Sequence, residues 1–300
     1  YLMVSGTAAE VGAGSRLGGA EWLAVAVADR PEGRASARVR LAAVLDGATA
    51  LRVAGGAAVA DEVRWDGGDV VARRVERLGA VVLGSAPLRE PDPAAVRAAL
   101  LEGLRELGPS GMLRWTDGAE RLRRRMAFLH QEVGAPWPAV DDGALAARAE
   151  EWLGPELGRA RRRADLARAD AADALRRLLP WNDPSGAALR FDALAPERVA
   201  VPSGSRVRVE YGGDGRPFLA VKLQEVFGWE EAPALAGGRV PLTLHLLSPA
   251  GRVVAVTGDL RSFWGDGYQA VRRDLRGRYP KHAWPEDPRT VPAHRGTRPR

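Results

Sequence analysis

Leu88-Arg89-Glu90-Pro91-Asp92-Pro93-Ala94-Ala95-Val96-Arg97-Ala98-Ala99-Leu100 marks the point at which the chain changes character. Asp92 can cap a helix through its carboxylate, and Pro93 suits the first turn, where no backbone donor is needed. Val96, Leu100, Leu104 and Leu107 then recur at helical spacing up to Gly108. Thr116 can cap a second helix, in which Leu122, Met126, Leu129 and Val133 form one stripe. Arg121, Arg123, Arg124 and Arg125 fall largely off that stripe. Pro136-Trp137-Pro138 breaks the chain, and helical patterns resume over Ala144–Leu153 and Asp165–Leu179. Residues 91–180 are therefore expected to be helical.

Upstream, short Val- and Leu-rich runs alternate with Gly-containing turns. Strands are expected at Leu2–Ser5, Glu21–Ala28, Ala37–Leu45, Glu62–Trp65, Val70–Leu78 and Ala80–Leu83, with Asp66-Gly67-Gly68-Asp69 as a hairpin connection. The length of 1–90 fits a five-stranded OB-like β-barrel. Downstream, Arg206–Tyr211, Pro217–Leu223, Pro241–Leu247 and Arg252–Thr257 alternate as strands, the last two joined through Ser248-Pro249-Ala250-Gly251. Asp259 can cap a helical segment, and Tyr268–Arg276 follows with Tyr268, Val271 and Leu275 on one face and Arg272 and Arg276 on another. The expected class is α+β and multidomain. It comprises an OB-like barrel at 1–90, a helical segment at 91–180, a mixed antiparallel-sheet and helix domain at 181–288, and a basic disordered tail at 289–300.

The net charge of +6 is concentrated at the end of the chain. Between residues 261 and 300 stand ten arginines and lysines against Asp266, Asp274, Glu286 and Asp287, so the preceding 260 residues are balanced. The same segment carries Phe263-Trp264, Tyr268, Tyr279, His282 and Trp284. Cations attract phosphate without regard to sequence, and aromatic rings stack on unpaired bases. Arg272, Arg273, Arg276, Arg278, Lys281, His282 and Trp284 are thus the candidate nucleic-acid-binding residues; a solvated tail beyond a core of aromatics is the competing reading. Overall richness in Ala, Gly and Arg points to a GC-rich coding sequence, so the arginine count alone carries no weight.

Other chemistries are disfavoured by residue type. Only Lys222 and Lys281 are lysines, and neither lies in a Gly-x-x-x-x-Gly-Lys-Ser/Thr loop, which excludes that kind of ATPase centre. Without cysteine there are no disulfides or thiolate metal sites, and the histidines at 130, 245, 282 and 294 form no His-Glu-x-x-His pattern. Gly12, Gly14 and Gly18 miss the dinucleotide spacing, and no Gly-x-Ser-x-Gly elbow occurs. Adjacent acids such as Asp141-Asp142 and Glu230-Glu231 point about 100° apart on a helix and do not converge. No catalytic, cofactor or metal residue is expected. No run reaches the length of a membrane span, no signal peptide is visible, and a cytoplasmic location is expected. The chain opens on Tyr1 rather than Met, which suggests a piece of something longer.

The string Gly267-Tyr268-Gln269-Ala270-Val271-Arg272-Arg273-Asp274-Leu275-Arg276-Gly277-Arg278-Tyr279-Pro280-Lys281-His282, continuing to Pro288, resembles the terminal signature of the HrpB family of bacterial DEAH-box ATP-dependent RNA helicases. Gly237-Gly238-Arg239-Val240-Pro241, Leu244–Gly251, Val201–Ser205, Leu219–Gly228 and Gly18–Ala26 fit the same family. The resemblance implies that two RecA-like motor domains, a winged-helix domain and a helical bundle precede this region in the parent protein. The ATP and Mg²⁺ sites would belong to that motor, and no residue for them is carried onto this chain. The implied partners are single-stranded RNA or DNA and the motor domains in cis, with no membrane. A scaffold that docks the motor or another protein is the alternative.

Overall fold

The computed structural model describes residues 1–30, 32–212 and 216–297. Arg298 and Arg300, counted above among the basic residues, lie outside them. The chain divides into two compact units: Tyr1–Glu106 with Pro155–Leu166, and Leu107–Gly154 with Ala167–Arg300.

The first unit begins with β1 (Ala9–Glu10), β2 (Trp22–Asp29), β3 (Ala37–Leu45), α1 (Gly47–Val53), β4 (Ala58–Asp66), β5 (Asp69–Leu78) and β6 (Val81–Pro87). They form two three-stranded sheets, ordered β1-β3-β2 and β4-β5-β6. The expected five-stranded barrel does not close. α1, capped by Asp46 Oδ1 on the Thr49 N–H at 2.8 Å, interrupts the chain between the sheets. No described strand pairing joins them. At the chain start the Ala80 N–H donates to Val4 O at 2.9 Å. The foreseen hairpin is present: Asp66 faces Asp69, and Gly67 and Gly68 take φ 59° and 83°, which side chains disfavour.

α2 (Pro93–Met112) starts where expected, with Asp92 Oδ1 accepting the Ala94 N–H at 3.1 Å. Val96, Leu100 and Leu104 are buried, but Leu107 is partly exposed beside the break at Gly108, φ 71°. Gly103 faces the buried Trp65, and a Cβ there would stand 2.6 Å from the indole. Gly103→Ala should therefore destabilise this unit by about 1–3 kcal/mol, although alanine is the better helix former by about 1 kcal/mol. Urea unfolding checks this; a gain in stability would mean Trp65 packs elsewhere.

The second unit contains α3 (Asp117–Val133), α4 (Asp142–Ala147), the start of α5 (Ala149–Arg159) and, beyond α6 (Arg163–Leu166), α7 (Ala171–Leu175) and α8 (Phe191–Leu194). Thr116 caps α3 through its hydroxyl on the Ala119 N–H at 3.2 Å, and Leu122, Met126 and Leu129 are buried as their spacing requires. Arg125, expected off the apolar stripe, is nevertheless buried. It is 7% exposed, donates Nε to Ala195 O at 2.6 Å, pairs with Asp192, and lies over Phe191 at 4.3 Å. An arginine can be buried when each donor finds an acceptor and its plane an aromatic face.

The strands here are β7 (Arg198–Ala200), β8 (Arg206–Glu210), β9 (Phe218–Lys222), β10 (Ala234–Leu235), β11 (Val240–Pro241), β12 (Thr243–Leu247) and β13 (Val253–Thr257). Five build a sheet ordered β13-β12-β9-β8-β7. β12 runs parallel to β9, so the sheet is not purely antiparallel as expected. A parallel pair needs a crossover, and the chain makes it through residues 223–241, which include the β10–β11 hairpin. Val209, Leu219, Val221, Leu244 and Leu246 are its buried residues. The chain then enters α9 (Leu260–Ser262), a π-helical turn over Phe263–Gly267, and α10 (Tyr268–Arg276).

Candidate nucleic-acid interface

The approach to α10 is built by local capping and close packing. Asp259 Oδ1 accepts the Ser262 N–H at 3.0 Å, as its position predicts. Gly267 cannot carry a side chain without conflict, because a Cβ would meet Phe263 Cδ2 at 2.8 Å. Phe227, Trp264 and Tyr268 then assemble edge to face. Tyr268 stands 5.7 Å from Trp264 and 6.2 Å from Phe227, at interplanar angles of 75° and 88°. Such tilted pairs match the positive ring edge to the negative face. Trp264 Nε1 donates to Trp229 O at 2.7 Å, so the cluster leaves no indole donor stranded.

Residues 279–288 return along α10 as a strap. Its prolines remove donors, but its carbonyls still need partners, and α10 supplies them from side chains. Tyr268 Oη donates to Pro285 O at 3.0 Å, Gln269 Nε2 to Glu286 O at 2.7 Å, and Arg272 Nε to Trp284 O at 2.9 Å. Trp284 Nε1 closes the strap on Tyr279 O at 2.9 Å.

The seven candidate residues separate into two groups. Arg272, expected on an accessible face with Arg276, is largely covered: it holds the strap and lies 3.7 Å from Glu286. Trp284, expected to stack on bases, is 6% exposed and packs inside the strap. His282 is half-buried, with Tyr279 edge-on at 6.2 Å. Arg273, Arg276, Arg278 and Lys281 are exposed, and none of their side chains makes an ion pair or hydrogen bond among the described residues. Arg273 and Arg276 share a helix face by their spacing. The tail expected to be disordered from 289 is held over its described part. Arg289 pairs with Asp287 at 2.9 Å, the His294 N–H donates to Gln224 O at 3.0 Å, and the His294 ring lies 6.0 Å from Phe227. Gln269 was missed by sequence reasoning, since nothing local marks a glutamine whose acceptor lies seventeen residues on.

Burial, then the charge of Lys222, then that of His294, hold His282 below the ordinary imidazole range. Unfolding lets it take up a proton more readily. Its contribution is therefore complete above about pH 6.5 and is lost as pH falls. Stability should decline between about pH 7 and 5 more steeply in the parent than in His282→Gln. Parallel unfolding profiles would remove His282 from that account.

Lys222 closes β9 and Lys281 follows α10, neither on a glycine-rich loop entering a helix. Among the described residues no three His, Asp or Glu side chains converge. No helix among the described residues is long and apolar enough to cross a membrane.

Residues 152–288 match the family model of ATP-dependent helicase C-terminal regions, HrpB_C. Over 98% of its length the chain is 37% identical to the ATP-dependent RNA helicase HrpB of Escherichia coli strain K12, covering 36% of that protein. It matches the crystal structure of the E. coli DExH-box NTPase HrpB with a TM-score of 0.65 at 37% identity, over 99% of this chain and 37% of that one. A crystal structure of the E. coli DEAH/RHA helicase HrpB matches with a TM-score of 0.57 at 34% identity, over 95% of this chain and 35% of that one. The chain spans about a third of the length of the relatives it matches.

Proposed function

We propose that the chain is a non-catalytic accessory region of an HrpB-like ATP-dependent RNA helicase. In this reading it grips single-stranded RNA or DNA and couples the strand to RecA-like motor domains in cis. ATP and Mg²⁺ act in that motor, the location is cytoplasmic, and this chain contributes no catalytic residue. The working division is 1–90 as an open OB-like platform, 91–180 helical, 181–288 the HrpB-type domain and 289–300 a basic tail. One observation carries the reading. Arg273, Arg276, Arg278 and Lys281 stand exposed, without ion-pair partners among the described residues, on a segment fixed by the α10 strap. Exposed cations on a rigid support are suited to a polyphosphate backbone, because little ordering entropy is lost on contact.

A scaffold role gains from the burial of Trp284, which leaves those cations without the expected stacking ring. An anisotropy titration of the chain against single-stranded and duplex RNA separates the two. Binding of the isolated chain, tighter for single strands, is the expected result. Binding that appears only when the motor domains are added would favour the scaffold. No ATP turnover is expected with or without RNA; turnover in a preparation free of contaminating ATPase would overturn the accessory reading.

A further inference from the structure

The arginine run on α3 contains a residue the fold does not use. Arg121 lies 3.6 Å from Glu197, Arg123 bonds Val140 O and Asp142 at 2.6 and 2.7 Å, and Arg125 is buried on Ala195 O. Arg124 is exposed and makes no hydrogen bond or ion pair among the described residues. It lines a cleft of about 560 Å³, with Arg216 two residues before β9 and Arg239 before β11. Arg216 is likewise unpartnered among the described residues, and Arg239 reaches only Glu132 O, at 3.4 Å. Phe128, one helical turn beyond Arg124, is half-buried in the same wall with its ring 5.1 Å from that of Tyr211. Tyr211 is fixed in turn by its hydroxyl on Pro196 O at 2.8 Å. Gly212 opens the way for the Arg124 stem: a Cβ there would lie 3.2 Å from Arg124 Cδ, and its φ of 119° already favours glycine. Among the described residues Glu132 is the one acid in the lining, against three arginines.

We propose that this cleft binds one nucleotide unit of a single-stranded nucleic acid. The phosphate sits among Arg124, Arg216 and Arg239, and the base lies on the Phe128 ring supported by Tyr211. The volume falls within the range of about 300–1,000 Å³ usual for small-ligand sites. Three cations beside an anchored aromatic pair are the combination that single-strand binders use. The proposal rests on the reading of the chain as a single-strand binder, but its contact is separate from the segment 273–281.

The test uses the whole chain and a fluorescent RNA strand carrying 4-thiouridine. The Arg124→Gln/Arg216→Gln/Arg239→Gln variant should keep its thermal midpoint, since all three side chains are exposed. It should weaken strand binding by roughly tenfold or more and flatten the log–log salt slope by about 2. Photocrosslinks should map to Phe128 and persist in a variant lacking the charges at 273, 276, 278 and 281. Chemical shifts induced by adenosine monophosphate alone distinguish a free-nucleotide site from a strand site. Shifts at Phe128 without strand crosslinks there would overturn the strand assignment. If strands bind and the triple variant equals the parent, the cleft proposal fails while the proposed function stands. If the triple variant loses binding and the 273–281 variant does not, the cleft is the contact and the basic segment is not. Absence of strand binding by the parent would overturn both.

Discussion

Tyr268→Ala should lower the stability of the second unit by about 3–5 kcal/mol, the range for removing a large buried ring. Tyr268 is fully buried, touches Phe227 and Trp264 edge to face, and holds the strap through Pro285 O. Burial also drives its phenol well above the ordinary tyrosine range, so the hydroxyl stays a donor at working pH. Tyr268→Phe keeps the ring and removes only that donor, and should cost about 1 kcal/mol. Chemical denaturation of the two variants beside the parent measures both. A near-equal loss in the two would place the main effect in the strap hydrogen bond rather than in the aromatic cluster. A small loss in both would mean that α10 does not pack as described.

The apolar half of this arrangement was legible in the sequence. Tyr268 and Leu275 are buried because positions seven apart return to one helix face, and Asp92 caps the helix it was expected to start. What escaped was long-range satisfaction of polar groups. Pro280, Pro285 and Pro288 read as breakers, yet the strap they shape is ordered by donors on α10. Arg125 falls off the apolar stripe, and charge is cheapest in water, but Ala195 O, some seventy residues on, supplies the acceptor that permits burial. Trp284 and Arg272 were singled out by type, as stacking ring and cation, and turn out to hold the strap, Arg272 through Trp284 O and the Trp284 indole through Tyr279 O. The barrel failed for the related reason that closure depends on edge pairing between distant strands, which runs of Val and Leu do not encode. Arg124 and Phe128 show a helical spacing, but Tyr211, Arg216 and Arg239 join them only through the fold.

The basic segment should reveal itself through salt. If Arg273, Arg276, Arg278 and Lys281 each meet a phosphate, single-strand affinity should fall with a log–log slope of about −2.8, from roughly −0.7 per contact. Raising salt from about 50 to 200 mM would then weaken binding roughly fifty-fold from this segment alone. Arg273→Ala with Arg276→Ala should flatten the slope by about 1.4 on any sequence, because phosphate contacts carry no base information. Both side chains are exposed, so the pair should leave stability within about 0.5 kcal/mol per substitution. Arg272→Ala is the internal contrast. Its guanidinium holds Trp284 O, so its removal should loosen the strap and lower the thermal midpoint. A double variant that binds as tightly as the parent with an unchanged slope would mean that the exposed cations meet no phosphate. They would then be free to face acidic protein surface, and the scaffold reading would follow from the same four side chains.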